Sequence, residues 1–197
     1  MKKERMDAFA AEVREINERV IELSRSYAIF WVFISSYKRY SKVIDDHRDF
    51  FDSIASSLLQ GFCVITYQLF DKRADVKSLP RILNYVASFD PALEQRLRMN
   101  IDAQTPLLER FFSYRHKIYA HRDKAKSPWE VFGSMPKTRL KREMKTIVGL
   151  SRDTICALAG VSGVRKKATM SQAIRLRENH ARWDAKEILR ALEKSCV

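Results

Sequence analysis

An arginine and a histidine are enough to cut RNA without a metal. The arginine offers a fixed fork of donors to a phosphate and stabilises the charge that builds there during transfer. The histidine titrates near neutrality, so it moves a proton to or from a ribose hydroxyl or a leaving oxygen. The neighbouring 2′-hydroxyl is the nucleophile, and DNA, which lacks it, survives. The stretch 109–124, E-R-F-F-S-Y-R-H-K-I-Y-A-H-R-D-K, holds two of the four histidines and a dense set of cations. On an ideal helix at about 100° per residue, Leu107, Leu108, Phe111, Phe112, Tyr114, Ile118 and Tyr119 share one broad arc. Glu109, Arg110, Ser113, His116 and Lys117 fall on the other side. Arg115 breaks the sorting by landing in the middle of the apolar arc, with His121 at its edge. A guanidinium aimed inward is costly unless it is paired or faces a cleft. Arg115 and His121 are therefore the candidate catalytic pair.

Their geometry sets a condition. Six helical steps put the two about 120° and about 9 Å apart. Either the helix unwinds before His121, or the working partners come from two subunits. Two other pairs, Arg110 with His116 and Arg175 with His180, match the same loose spacing in a chain of 21 arginines. Helical phase puts Arg110 and His116 on the polar face and His180 away from the apolar stripe of its helix. The plainer alternative for Arg115 is a structural arginine paired with an acid such as Asp71, with His121 a cap or dipole partner at the helix end.

Other chemistries fare worse. His116 and His121 lie five steps apart, about 140° round the helix, and no acid nearby completes a ligand set, so no metal is expected. Cys63, Cys156 and Cys196 are widely spaced and odd in number, which gives neither a disulfide framework nor a zinc knuckle and fits a reducing cytoplasm. Five scattered glycines make no phosphate loop. No cofactor is implied.

The net charge of +13 is unevenly placed. Residues 1–109 carry 16 Lys and Arg against 16 Asp and Glu, whereas residues 110–197 carry 21 against 8. A basic half of this kind fits a polyanion, most simply nucleic acid, with a solvated cationic surface as the bland alternative. Lys117, Arg122, Lys124, Lys126, Lys137, Arg139, Lys141 and Arg142 are the candidate nucleic-acid contacts. The last four crowd the first turns of a helix, where cations oppose the dipole.

The elements that must position these residues read as helices throughout. Hydrophobic residues make up 46% of the chain, with few strand-like alternations. Met6, Phe9, Val13, Ile16, Val20 and Leu23 recur at three and four, the mark of an amphipathic helix. That helix is expected to pause near Ser24–Ser26 and run on to about Val43. Its segment 27–37 is apolar all round, so a neighbouring helix covers it or a second subunit does. A long helix from about 48 to 70 follows D-D-H-R-D. Ser78-Leu79-Pro80, Asp90-Pro91 and Thr105-Pro106 each open a further helix, with a polar cap and proline in the first turn. The last of these is the central one, ending near Ala120. An irregular stretch, roughly 122–135, precedes a helix started by Pro136, and a final amphipathic helix covers about 169–194. No stretch reaches the ~20 apolar residues of a membrane span, and no signal peptide is expected, because no apolar core follows the basic residues of M-K-K-E-R-M-D. The expectation is one all-α domain, 1–197, with its core about 5–160 and about six or seven helices, long antiparallel ones among them.

R-H-K-I-Y-A-H resembles the signature of the HEPN superfamily: Arg, a polar residue, then His within a few positions at the end of a helix in an all-α bundle. Y-A-H-R-D-K, and Y-Q-L-F-D-K followed by S-L-P-R-I-L, resemble the abortive-infection AbiU-type branch, over about 5–160. The resemblance implies a homodimeric RNase whose cleft is lined by Arg and His of both copies. It also implies a role as a toxin in toxin–antitoxin or phage-defence systems, with a possible antitoxin protein as partner. Arg115 would bind the scissile phosphate and His121 would be the acid–base group. His116 stands where many relatives have Asn, a possible third site residue. Asp123 stands where a tyrosine marks members modified by a nucleotidyltransferase antitoxin, so that regulation is not implied. Two other classes fit the same residues: a catalytically silent module that binds nucleic acid or nucleotide, and an interaction subunit of a defence complex.

Overall fold

The computed structural model describes residues 2–73, 75–120, 135–163 and 167–195. The three-and-four spacing of the N-terminal apolar residues produces a single helix, α1 (Lys2–Ser36), about 52 Å long at 1.5 Å per residue. Phe9, Val13, Ile16, Val20 and Leu23 are all buried along it. Ser24 does not interrupt α1: its side chain sits in the fully buried interior, and the helix passes through it. The helix ends at Ser36 rather than near Val43, and Val43 belongs to a separate short helix, α2 (Ser41–Asp46). Most of the all-round apolar segment is covered within the same chain, since Tyr27, Phe30, Trp31, Val32 and Phe33 are buried, while Tyr37 at its end is exposed.

Next come α3 (Arg48–Phe70), α4 (Leu79–Val86), α5 (Pro91–Asp102), α6 (Thr105–Ala120), α7 (Lys137–Ser162) and α8 (Lys167–Ser195). The described residues thus form eight helices and no strand, two or one more than the sequence pattern counted. Caps behave as their residue types dictate. The Ser78 hydroxyl accepts from the Arg81 N–H, and the Asp90 carboxylate accepts from the Leu93 N–H at 3.0 Å. α7 stops at Gly163, whose φ of +69° is the left-handed conformation that favours glycine.

α1 is the spine, packed against α3, α7 and α8. Phe33 meets Phe51 near the start of α3, while Glu15 pairs with Lys77 just beyond its end, so α1 and α3 are antiparallel. The long helices are not all antiparallel, however. Tyr27 lies beside Arg182, and Val32 and Phe33 share a cluster with Ala185 and Leu189, so α1 and α8 run the same way. The α4–α5 pair carries the chain back so that α6 also runs parallel to α3, with Phe62 against Phe111 and Tyr67 against Phe112. Phe62 and Phe111 are fully buried, each worth about 2–3 kcal/mol of burial. By length and composition α3 is apolar enough to cross a membrane, which the sequence reading had not credited. In this fold Phe51, Leu59, Phe62, Ile65 and Leu69 of α3 are core residues.

Candidate functional site

Arg115 comes from the last turns of α6. Leu107, Leu108 and Phe111 anchor that helix in the core, and Phe112 and Tyr114 pack on its margin. Anchored this way, α6 delivers Arg115 half-buried onto the ring of Tyr67, its guanidinium carbon 4.1 Å from the ring centroid. A guanidinium over a phenol ring is attracted by the ring quadrupole, which fixes the plane of the Arg115 fork. His116 meets the same ring edge-on at 6.1 Å between centroids, and its side chain is exposed. The helical projection had put Arg115 and His116 on different faces. As neighbours on the helix they straddle Tyr67, and the fold brings them together.

Beneath this group lies Asp71, the residue after α3 and 5% exposed. Its carboxylate accepts from the Arg73 backbone N–H at 3.0 Å and from Arg73 Nε at 2.9 Å. Burial pushes the Asp71 carboxyl up, but hydrogen bonds from Arg73 and Tyr67 outweigh that and hold it below the usual carboxylate range. The acid considered as a partner for Arg115 therefore pairs with Arg73, and its link to Arg115 runs through Tyr67. Nothing in the sequence marks Tyr67 as the platform. The only available signal was a tyrosine one turn before an aspartate at a helix end.

Arg110, the rival arginine on the same helix, has a structural task. It donates to Glu143 Oε1 at 2.9 Å, and Arg139 donates to the same oxygen at 2.9 Å. Glu143 is buried on α7, a carboxylate that sequence reasoning missed. Burial and then the nearby Glu143 push the Tyr114 phenol up. Arg175 and His180 are both exposed on α8.

The candidate nucleic-acid contacts divide. Lys117 and Arg142 are exposed. Lys137 stands on a cleft of about 440 Å³ with Asp45, Asp52 and the aromatic rings of Phe33, Tyr37 and Phe51. Arg139 is engaged by Glu143, and Lys141 sits over the Trp31 ring at 5.5 Å, so two of the cations crowding the start of α7 have partners inside the fold. His121, Arg122, Lys124 and Lys126 lie outside the described residues. Among the described residues no three His, Cys, Asp or Glu side chains gather as a metal site. Cys63 and Cys156 are buried, and burial pushes the Cys63 thiol far up.

The family model AbiU2, a HEPN family, matches residues 6–132, which span α1 to α6 and the stretch beyond it. The chain belongs to the HEPN AbiU2 family. The match includes Tyr67, Asp71, Arg115, His116 and His121, and leaves α7 and α8 outside. This AbiU2-family chain matches no curated protein and no solved structure. The all-α bundle is the fold that HEPN membership calls for.

Proposed function

We propose that this AbiU2-family chain is a metal-independent endoribonuclease, an abortive-infection effector that works as a homodimer in the cytoplasm and is restrained by an antitoxin protein. The observation that carries this reading is Arg115 held by Tyr67, with His116 at the rim of the same ring. The sequence adds His121 directly after α6. In the reaction the ribose 2′-oxygen bonds to phosphorus while the bond to the 5′-oxygen breaks. Arg115 offers its donor fork to the phosphoryl oxygens as negative charge gathers on them. His121 takes the proton of the 2′-hydroxyl or gives one to the departing 5′-oxygen, and the copy from the second subunit serves the other transfer. The products are a 2′,3′-cyclic phosphate and a 5′-hydroxyl.

The test is cleavage of single-stranded RNA by highly purified protein in excess chelator. Arg115→Ala and His121→Ala should each slow it by about 10²–10⁴-fold, with folding retained by circular dichroism. A single 2′-deoxy substitution at the cut position should block that cut. Equal cleavage by wild type and both variants, or cleavage that needs a divalent cation, would overturn the proposal. His116→Ala, measured beside them, assigns His116 to the reaction or to the rim.

A further inference from the structure

A second cationic cleft lies next to this group, in the half of the chain whose formal charge is balanced. It occupies about 330 Å³ between the end of α3, α4 and α5, and Lys72, Arg73, Arg81 and Arg98 line it. Asp102 is the single carboxylate on its wall. The arginines have acidic partners: Arg73 has Asp71, Arg81 has Glu12 at 3.5 Å, and Arg98 has Glu94. Those pairs are layered. Asp71 is 5% exposed beneath an Arg73 that is 62% exposed, and Glu94 is 17% exposed beneath an Arg98 that is 40% exposed. The acids face inward and fix the guanidinium planes, while the cations form the outer surface. A guanidinium bound along one edge keeps donors on another. Arg98 also donates to the Asn84 side chain at 3.1 Å, which holds its fork across the cleft. Lys72 is exposed and has no carboxylate at ion-pair distance among the described residues. The cleft continues the candidate site: Arg115 stacks on Tyr67, the Tyr67 phenol helps hold the Asp71 carboxyl low, and Asp71 pairs with Arg73 on the cleft wall.

We propose that this cleft binds the phosphodiester backbone of the RNA strand whose scissile phosphate sits at Arg115, so that the strand passes over Tyr67 and Asp71 onto α4 and α5. The proposal rests on the RNA reading above. The helices preceding α6 then supply strand contacts that the charge distribution along the sequence assigned to the later half alone.

The experiment measures binding of the full chain to a fluorescein-labelled twelve-nucleotide single-stranded RNA over a range of salt concentrations. Lys72→Gln combined with Arg98→Gln should weaken binding about tenfold at low salt. It should also flatten the log–log salt slope by about 1.4, at roughly 0.7 per lost cation contact to a single strand. Lys72→Gln alone breaks no ion pair among the described residues and should flatten the slope by about 0.7, which keeps the test intact if Arg98→Gln loosens α4 against α5. Lys186→Gln, on α8, serves as the distant control. Wild type that binds RNA with unchanged affinity and slope in both Lys72 variants overturns the cleft and leaves the catalytic reading standing. Wild type that binds this RNA without cutting it overturns the catalytic reading while the slopes still decide the cleft. Absence of RNA binding even at low salt overturns both.

Discussion

Replacing Tyr67 by leucine takes away the surface on which Arg115 rests, and a double-mutant cycle isolates that loss. The guanidinium stands 4.1 Å from the ring centroid with Arg115 half-buried. Cation–π pairs run from about 0.5 kcal/mol when exposed to about 2 kcal/mol when desolvated, which puts this one near 1 kcal/mol. Urea unfolding of wild type, Tyr67→Leu, Arg115→Gln and the double variant should give a coupling of about that size. Tyr67→Phe keeps the ring and so keeps the coupling. In the cleavage assay a misplaced arginine costs more than its own stacking energy, because an error of about 1 Å can slow a reaction by 10²-fold. Tyr67→Leu should therefore lose more activity than Tyr67→Phe, with kcat falling before KM changes. Stabilities additive within about 0.3 kcal/mol would refute the argument, and so would equal activity in the two variants.

Three further outcomes follow from the geometry. Asp71→Asn should lower stability at neutral pH. Because the folded carboxyl titrates below its ordinary value, its contribution is present above about pH 4 and disappears as pH falls through the lowered folded value. Wild-type and variant melting temperatures should thus converge in acid. Glu143→Ala should cost about 1–3 kcal/mol in urea unfolding, the lower end being favoured because Arg110 and Arg139 are 39% and 50% exposed. Glu143→Gln, which keeps an acceptor between the two arginines, should cost less. Gly61→Ala should raise stability by up to about 1 kcal/mol, since a Cβ there meets nothing within 4 Å in the interior of α3. A loss of stability would mean that α3 sits closer to its neighbours than this packing has it.

Local grammar made much of this fold readable. Ser78 and Asp90 cap because their short oxygens reach the N–H groups three residues on, and proline in the first turn removes a donor that had no partner anyway. Leu107, Leu108 and Phe111 of the α6 arc are buried, and Arg115 stood out because it broke that arc. What escaped the sequence depended on partners distant along the chain. Ser24 to Ser26 looked like a pause because serine is a middling helix former, yet burial of Ser24 against other helices carries α1 straight through. Glu143 lies among Lys141, Arg142 and Lys145 and reads as one charge in a basic run, whereas its importance comes from Arg110, 33 residues away. Tyr67 was legible as an α3 residue but not as a platform, because only the parallel course of α3 and α6 lays it under Arg115. The sign of the Lys72–Arg98 region was hidden for another reason. Counting charges along a sequence weighs a buried aspartate and an exposed arginine equally, and water does not.

The unbroken spine has a consequence for synthesis. α1 is translated before every other helix of the bundle, but two of the three faces it covers belong to α7 and α8, which emerge last. Until then the faces of α1 that α7 and α8 will cover stay open even after α3 has packed, and a ribosome-bound chain of this kind attracts chaperones and aggregates readily. Arg110 likewise waits for Glu143 of α7 before its charge is matched, so α6 cannot settle fully while the later helices are missing. α6, which carries Arg115, therefore takes its final seat only after α7 has been made.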